Sequence, residues 1–120
     1  MAATLLKVTD EGPAVLATPL VPELDAVTSE QMAPHFRDLA NKSAGRVVLL
    51  DLSHIAFIQS IGFGLLVEMN QLLHASGGRL IVFGLQPRVR TLMHVTRLDS
   101  VLTVASDVAD AREAFGAGPT

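Results

Sequence analysis

The chain has 120 residues, 49% hydrophobic and 18% charged, enough apolar material at this length to bury one core and too much for a disordered chain. Its formal charge is −3, from 9 basic and 12 acidic residues, and no basic run follows a phosphate backbone, which argues against direct nucleic-acid binding. It has no cysteine, which removes disulfides and thiolate metal sites, and no apolar run nears the ~20 residues of a membrane span.

Met1 to Thr9 lacks a charged segment followed by a long apolar one, so no signal peptide is expected and the cytoplasm is the expected location. Thr4 to Val8 alternates weakly, as an edge strand does. Asp10-Glu11-Gly12-Pro13 is turn chemistry, and Ala14 to Val21 returns as a second strand, giving an antiparallel N-terminal hairpin. Pro19 and Pro22 lack backbone donors and place the end of that strand near an edge or bend. Thr28 with Gln31 three residues on resembles a capping box, and Met32, Phe36, Leu39 and Ala40 form the inner stripe of a first helix ending before Asn41. Pro34 interrupts that pattern: either the helix starts near Thr28 and is distorted, the preferred reading, or it starts near Ala33.

Val47 to Leu50 is a short, β-branched-rich apolar run, the mark of a strand buried on both faces. A polar turn and a second apolar piece, Ile55 to Ile58, lead to Gln59-Ser60-Ile61-Gly62-Phe63-Gly64. Ile61, Leu65, Leu66, Met69, Leu72 and Leu73 then recur at helical spacing, predicting a central helix from Ser60 to Ala75 stopped by Ser76-Gly77-Gly78. Arg79 to Gly84 is the next buried strand, and Pro87 opens a third helix with Val89, Leu92, Met93 and Val95 as its inward candidates. Leu98 to Val104 contains a short last strand. Ser106-Asp107 caps a fourth helix, with Val108, Ala111, Ala114 and Phe115 on its apolar side. One domain over residues 1–116 with a frayed tail over 117–120 is expected.

Little of this reads as catalysis. His35, His54, His74 and His94 lack the spacing of a metal pair, and no cofactor loop is present: Gly62-Phe63-Gly64 lies inside a helix without a following lysine. No Gly-x-Ser-x-Gly elbow exists around Ser60. Asp51 ends the central strand, where a turn-forming role ahead of Ser53 outweighs a catalytic one. Arg88, Arg90 and Arg97 invite the reading of one basic face, although helical arginines are usually just solvated. Ser60 is the residue singled out. Unpaired N–H groups at a helix start stabilise a hydroxyl or phosphate, and the plainer alternative is an ordinary N-cap.

The order of motifs resembles a STAS domain, the bacterial anti-sigma-factor antagonist family. The likeness runs through Glu23-Leu24-Asp25, Val48 to Ser53, Phe57 to Gly64, the strand between Gly78 and Gly84, Leu85 to Arg90, and Thr96-Arg97-Leu98. It implies an α/β fold: a small mixed sheet of four to five strands with an antiparallel N-terminal hairpin, covered by four helices. It also implies a function without catalysis or cofactor. The domain binds an anti-sigma-factor serine kinase, the kinase phosphorylates a serine at the start of the central helix, and a phosphatase resets it. By motif position that serine is Ser60, and the partner face comprises Asp25, Gln59, Ser60, Ile61, Gly62 and Phe63. Phe63 is either core, which is favoured, or an exposed anchor. The resemblance leaves monomer and dimer open.

The chain departs from the family pattern in five places. Gln59 stands for an Asp, Ile61 for a second hydroxyl residue and Phe63 for a Leu. Pro22 stands for the Gly before Glu-Leu-Asp, and Arg97 for a Gly before Leu98. Losing the Asp beside Ser60 fits a second reading, a constitutive adaptor docking on a transporter ATPase or in a sensory assembly.

Overall fold

This computed structural model describes residues 4–116. Its elements, in chain order, are β1 (Leu6–Asp10), β2 (Ala14–Pro19), β3 (Glu23–Leu24), α1 (Ala26–Lys42), β4 (Val47–Asp51) and β5 (Phe57–Ile58). There follow α2 (Ser60–Ala75), β6 (Arg79–Phe83), α3 (Pro87–Val95), β7 (Thr103–Ala105) and α4 (Val108–Gly116). Five strands make one sheet in the order β1-β2-β4-β6-β7, antiparallel only at β1–β2, and β3 and β5 form a separate parallel ribbon. The predicted mixed sheet with its N-terminal hairpin and four helices is what the chain forms.

The apolar runs of β4 and β6 follow from burial on both faces. Val48, Leu50, Leu80 and Val82 turn to one side, where they meet Met32 and Phe36 of α1, Leu66 and Met69 of α2, and Val89 and Met93 of α3. Leu49, Ile81 and Phe83 turn to the other, where Ala111 of α4 covers them. Each of these large side chains contributes about 1.5–3 kcal/mol by leaving water. Parallel neighbours need a crossover, and α1, α2 and α3 supply one each. Consequently α2 and α3 both start at the same edge of the sheet, beyond the carboxyl ends of β4 and β6.

Several local expectations are corrected. The cap of α1 is Asp25, whose Oδ1 accepts the Thr28 N–H at 2.8 Å; Thr28 lies inside the helix. Strand β3 holds Leu24 extended and so delivers Asp25, a good capping carboxylate, to the helix start. Helix α1 then runs through Pro34, which lies on its exposed side, and ends at Lys42. Val95, 71% exposed, faces solvent, as do Ile61 and, in part, Leu72 and Val108. The short last strand expected within Leu98 to Val104 is found as Thr103–Ala105, after a 3-10 turn over Leu98–Ser100. Arg97 before that turn has φ 61°, the left-handed conformation that favours glycine. Residues 117–120 and the side chain of Phe115 lie outside what is described.

Candidate functional site at the start of α2

The connection from β4 to α2 is pinned by backbone bonds to β3. Asp51 Oδ1 accepts the Ser53 N–H at 2.9 Å, the turn-forming role, which reverses the chain after β4. The Ala56 N–H then donates to the Pro22 carbonyl at 2.8 Å and the Gln59 N–H to the Leu24 carbonyl at 3.0 Å. Pro22 is used only as an acceptor in this pair, so its missing N–H costs nothing there. The Gln86 side-chain amide donates to the Ser53 carbonyl at 2.9 Å and ties the start of α3 to the same loop. Two segments remote in sequence, around β3 and at the start of α3, thus hold the loop over residues 53–59.

At the head of α2 the N-cap is Gln59, in extended conformation, and its side chain makes no capping bond. Ser60 is the first helical residue, so the ordinary N-cap reading of Ser60 does not hold. The Gln59 carbonyl accepts the N–H groups of Gly62 at 2.9 Å and Phe63 at 3.1 Å. Ser60 is exposed, and its hydroxyl makes no hydrogen bond to the described residues. It therefore stands at an uncapped helix N-terminus, the positive end of the helix dipole, with no acidic residue in the first turn.

The other expected site residues fall around it unequally. Ile61 is 48% exposed, whereas Phe63 is 6% exposed and belongs to the core, as favoured for it. Gly62 is buried because α2 presses on β3: a Cβ there would stand 2.7 Å from the Leu24 Cβ. Gly64, one turn past Ser60, is exposed, and apart from its chain neighbours and its own helix backbone nothing lies within 4 Å of where a Cβ would be. Asp25 lies at the same edge, next to the Leu24 whose carbonyl holds Gln59, but its carboxylate is committed to capping α1. The Thr28 backbone N–H is the chief reason its carboxyl lies below the usual range.

Two features had no signal in the sequence. The Arg88 guanidinium lies over the Phe57 ring, 4.5 Å from its centroid. The start of α2 also borders a groove against α3. One hollow of about 550 Å³ runs between Phe57, Ile61, Phe63 and Leu92, and another of about 430 Å³ between Gly64, Val67, Gln71 and Leu98. The three arginines do not share this site, since Arg90 lines a separate hollow with His94 and Asp99. Chemically the site is an exposed hydroxyl on a partly apolar, shallow surface. Glu68, the one carboxylate on the groove among the described residues, is held by Arg37 at 2.6 Å and is no base for Ser60.

Comparison with known proteins agrees with this architecture. The chain is similar to the structure of an anti-sigma-factor antagonist (STAS) domain protein from Planctomyces limnophilus, at 24% identity and a TM-score of 0.84 over 92% of this chain and 97% of that one. It is similar to the Bacillus protein SpoIIAA, solved unphosphorylated (20% identity, TM-score 0.73, 96% and 99% covered) and phosphorylated (21%, 0.63, 95% and 99%). It also matches one part of the murine anion transporter Slc26a9, at 14% identity and a TM-score of 0.76 over 92% of this chain and 19% of the transporter. The model of the STAS domain matches residues 7–111, nearly the whole described chain, and this protein belongs to the STAS domain family.

Proposed function

We propose that this protein is an anti-sigma-factor antagonist: a cytoplasmic, non-enzymatic binding module that captures an anti-sigma-factor kinase and is released when Ser60 is phosphorylated, with a phosphatase restoring it. The observation that carries the reading is the placing of Ser60, an exposed and unbonded hydroxyl on the first residue of an uncapped helix, on a surface that closes against nothing in its own chain. A phosphate there adds about −1.5 to −2 charges at pH 7. The helix start stabilises that charge in this protein, while the same charge disrupts an apolar contact with a partner. SpoIIAA, a relative in fold, is known in a phosphorylated and an unphosphorylated form, which supports a switch of this kind.

The direct test pairs two variants against each anti-sigma kinase of the same cell. Ser60→Asp is expected to abolish capture and Ser60→Ala to retain it. Equal capture by both would sink the switch. The second reading, a constitutive adaptor, is favoured by Gln59 and Ile61, which leave the loop without the acidic and second hydroxyl side chains of the family pattern. The Slc26a9 match shows the fold carried as one part of a transporter. Intact mass and peptide mapping of protein from its native cells, resting and stressed, separates the two. A phosphate on the Ser60 peptide that varies with growth supports the switch, and unmodified protein in every state supports the adaptor.

A further inference from the structure

The two hollows beside α2 share Ser60, Phe63 and Thr96, and therefore form one groove between the first turns of α2 and the last turn of α3. Its apolar surface does not stop at the rim. Ile61 is 48% exposed and Val95, next to Thr96, is 71% exposed, the largest value among the exposed large hydrophobic residues described. Neither exposure serves the core of this chain.

Glu68, the charged residue that lines the groove, is neutralised by Arg37, and two arginines without such a partner stand beside the apolar surface. Arg88 lies at one end, over Phe57 and one turn before Leu92. Arg97, also exposed, stands in the chain between Thr96 and Leu98, which both line the groove. Neither arginine forms an ion pair among the described residues. The carboxylates nearby are engaged or apart: Glu68 is held by Arg37, Asp99 by His94, and Glu23, opposite Phe57 in the β3–β5 ribbon, forms no ion pair with Arg88. Arg97 is moreover kept at φ 61°, where glycine would sit without strain. Strain retained at a surface position points to use of the side chain.

Resting on the reading of the α2 start as the partner face, we infer that this groove is the docking slot for an acidic, amphipathic segment of the partner protein. Its apolar side chains enter between α2 and α3, and carboxylates at its two ends meet Arg88 and Arg97. A shallow groove between two helices has the width for a chain segment, and the unpaired arginines beside it select an acidic one. Phosphate on Ser60, midway along the slot, then repels the occupant directly.

The test uses the full chain, ¹⁵N-labelled and unphosphorylated, titrated with three synthetic helical peptides sharing one apolar face and differing only in glutamate, glutamine or lysine ends. The glutamate peptide is expected to shift the amides of residues 60–67 and 92–98 and to bind about two- to tenfold more tightly than the lysine peptide at low salt. Arg88→Glu should reverse that preference. Arg97→Gly should weaken the glutamate peptide while raising the melting temperature, a split that a purely structural arginine would not give. Equal binding of all three peptides, shifts confined to other surfaces, or Arg97→Gly raising stability with unchanged affinity overturns the inference. So do phosphatidylglycerol-containing vesicles that shift the same amides where the glutamate peptide does not. Failure here is separable from failure of the switch. If the peptides behave as expected but Ser60→Asp binds the glutamate peptide like wild type, the groove stands and the switch falls. If the peptides fail while Ser60→Asp still loses the kinase, the switch stands and the groove falls.

Discussion

Gly62 packs so closely on Leu24 that a Cβ on it would stand 2.7 Å from the Leu24 Cβ, 2.8 Å from the Ile58 Cγ2 and 3.0 Å from the Leu24 carbonyl oxygen. Two of those neighbours are backbone or adjoin it, so they cannot rotate away. Gly62→Ala is therefore expected to push α2 off the β3–β5 ribbon and destabilise the fold by about 2–3 kcal/mol. Gly64, two residues on, is the opposite case. Nothing approaches its open side, so Gly64→Ala is expected to add about 0.5–1 kcal/mol through helix propensity. Urea denaturation of the two variants checks the pair. On the proposed reading that the start of α2 is the partner face, Gly64→Ala beside Ser60 should weaken capture while it strengthens the fold. A variant that gains stability and binds like wild type would remove Gly64 from that contact.

Ser29 tests the first turn of α1. It is fully buried, and its hydroxyl has no hydrogen-bond partner among the described residues, although its N–H donates to the Asp25 carbonyl. An unpaired buried hydroxyl costs about 1–3 kcal/mol, and alanine is the better helix former. Ser29→Ala is expected to stabilise the protein by about 1–2 kcal/mol. A loss of stability on thermal melting would show the hydroxyl bonded in solution, to a buried water for example.

How much of this was legible beforehand depended on the range of the cause. Helix α2 was readable from Ser60 to Ala75, because its apolar period and the glycines after it are local, and Gly77 does take φ 83°. The ribbon of β3 with β5 was not, since each strand is two residues long and gains its partner only through tertiary contact. That same ribbon decided the cap of α1. Asp25 and Thr28 are both good caps on local chemistry, and the extended Leu24 selects Asp25. Periodicity likewise could not tell a core position from the wall of an open groove, so Ile61 and Val95 read as buried. Arg88 over Phe57 joins two distant segments through packing of α3, which no spacing announces.

Three carboxylates give the pH dependence. The Arg46 hydrogen bond, with the Gly12 N–H, holds Asp10 below its ordinary 3.8, and the Arg112 hydrogen bond holds Glu11 below 4.5. Asp25 is held below 3.8 by the Thr28 N–H. In each case the folded state binds its proton later than the unfolded chain as pH falls. Their stabilisation is complete above the ordinary values and is lost as pH drops through the folded ones, so the melting temperature should fall below about pH 4.5. The groups are exposed, and added salt should shrink the effect. The triple variant Asp10→Asn, Glu11→Gln, Asp25→Asn is expected to lose less melting temperature than wild type between about pH 6 and about pH 3. Identical losses would assign the acid sensitivity to other groups.

Pro34 sits within α1, eight positions after its first residue, and on the exposed side. Lacking an N–H, it leaves the Glu30 carbonyl without its helical donor, and its ring crowds that carbonyl. In a helix interior this costs about 3 kcal/mol against alanine. Two things reduce the net effect: water reaches the freed carbonyl on an exposed face, and proline also restricts the unfolded chain. Pro34→Ala is thus expected to stabilise the protein by about 1–2 kcal/mol, seen as a higher urea midpoint with an unchanged slope. The buried stripe of α1, Met32, Phe36 and Leu39, is untouched by the change, so the gain should come from the backbone alone. An unchanged midpoint would mean that α1 accommodates the proline without strain, its freed carbonyl already satisfied by water. A changed slope would instead place the effect in the unfolded chain.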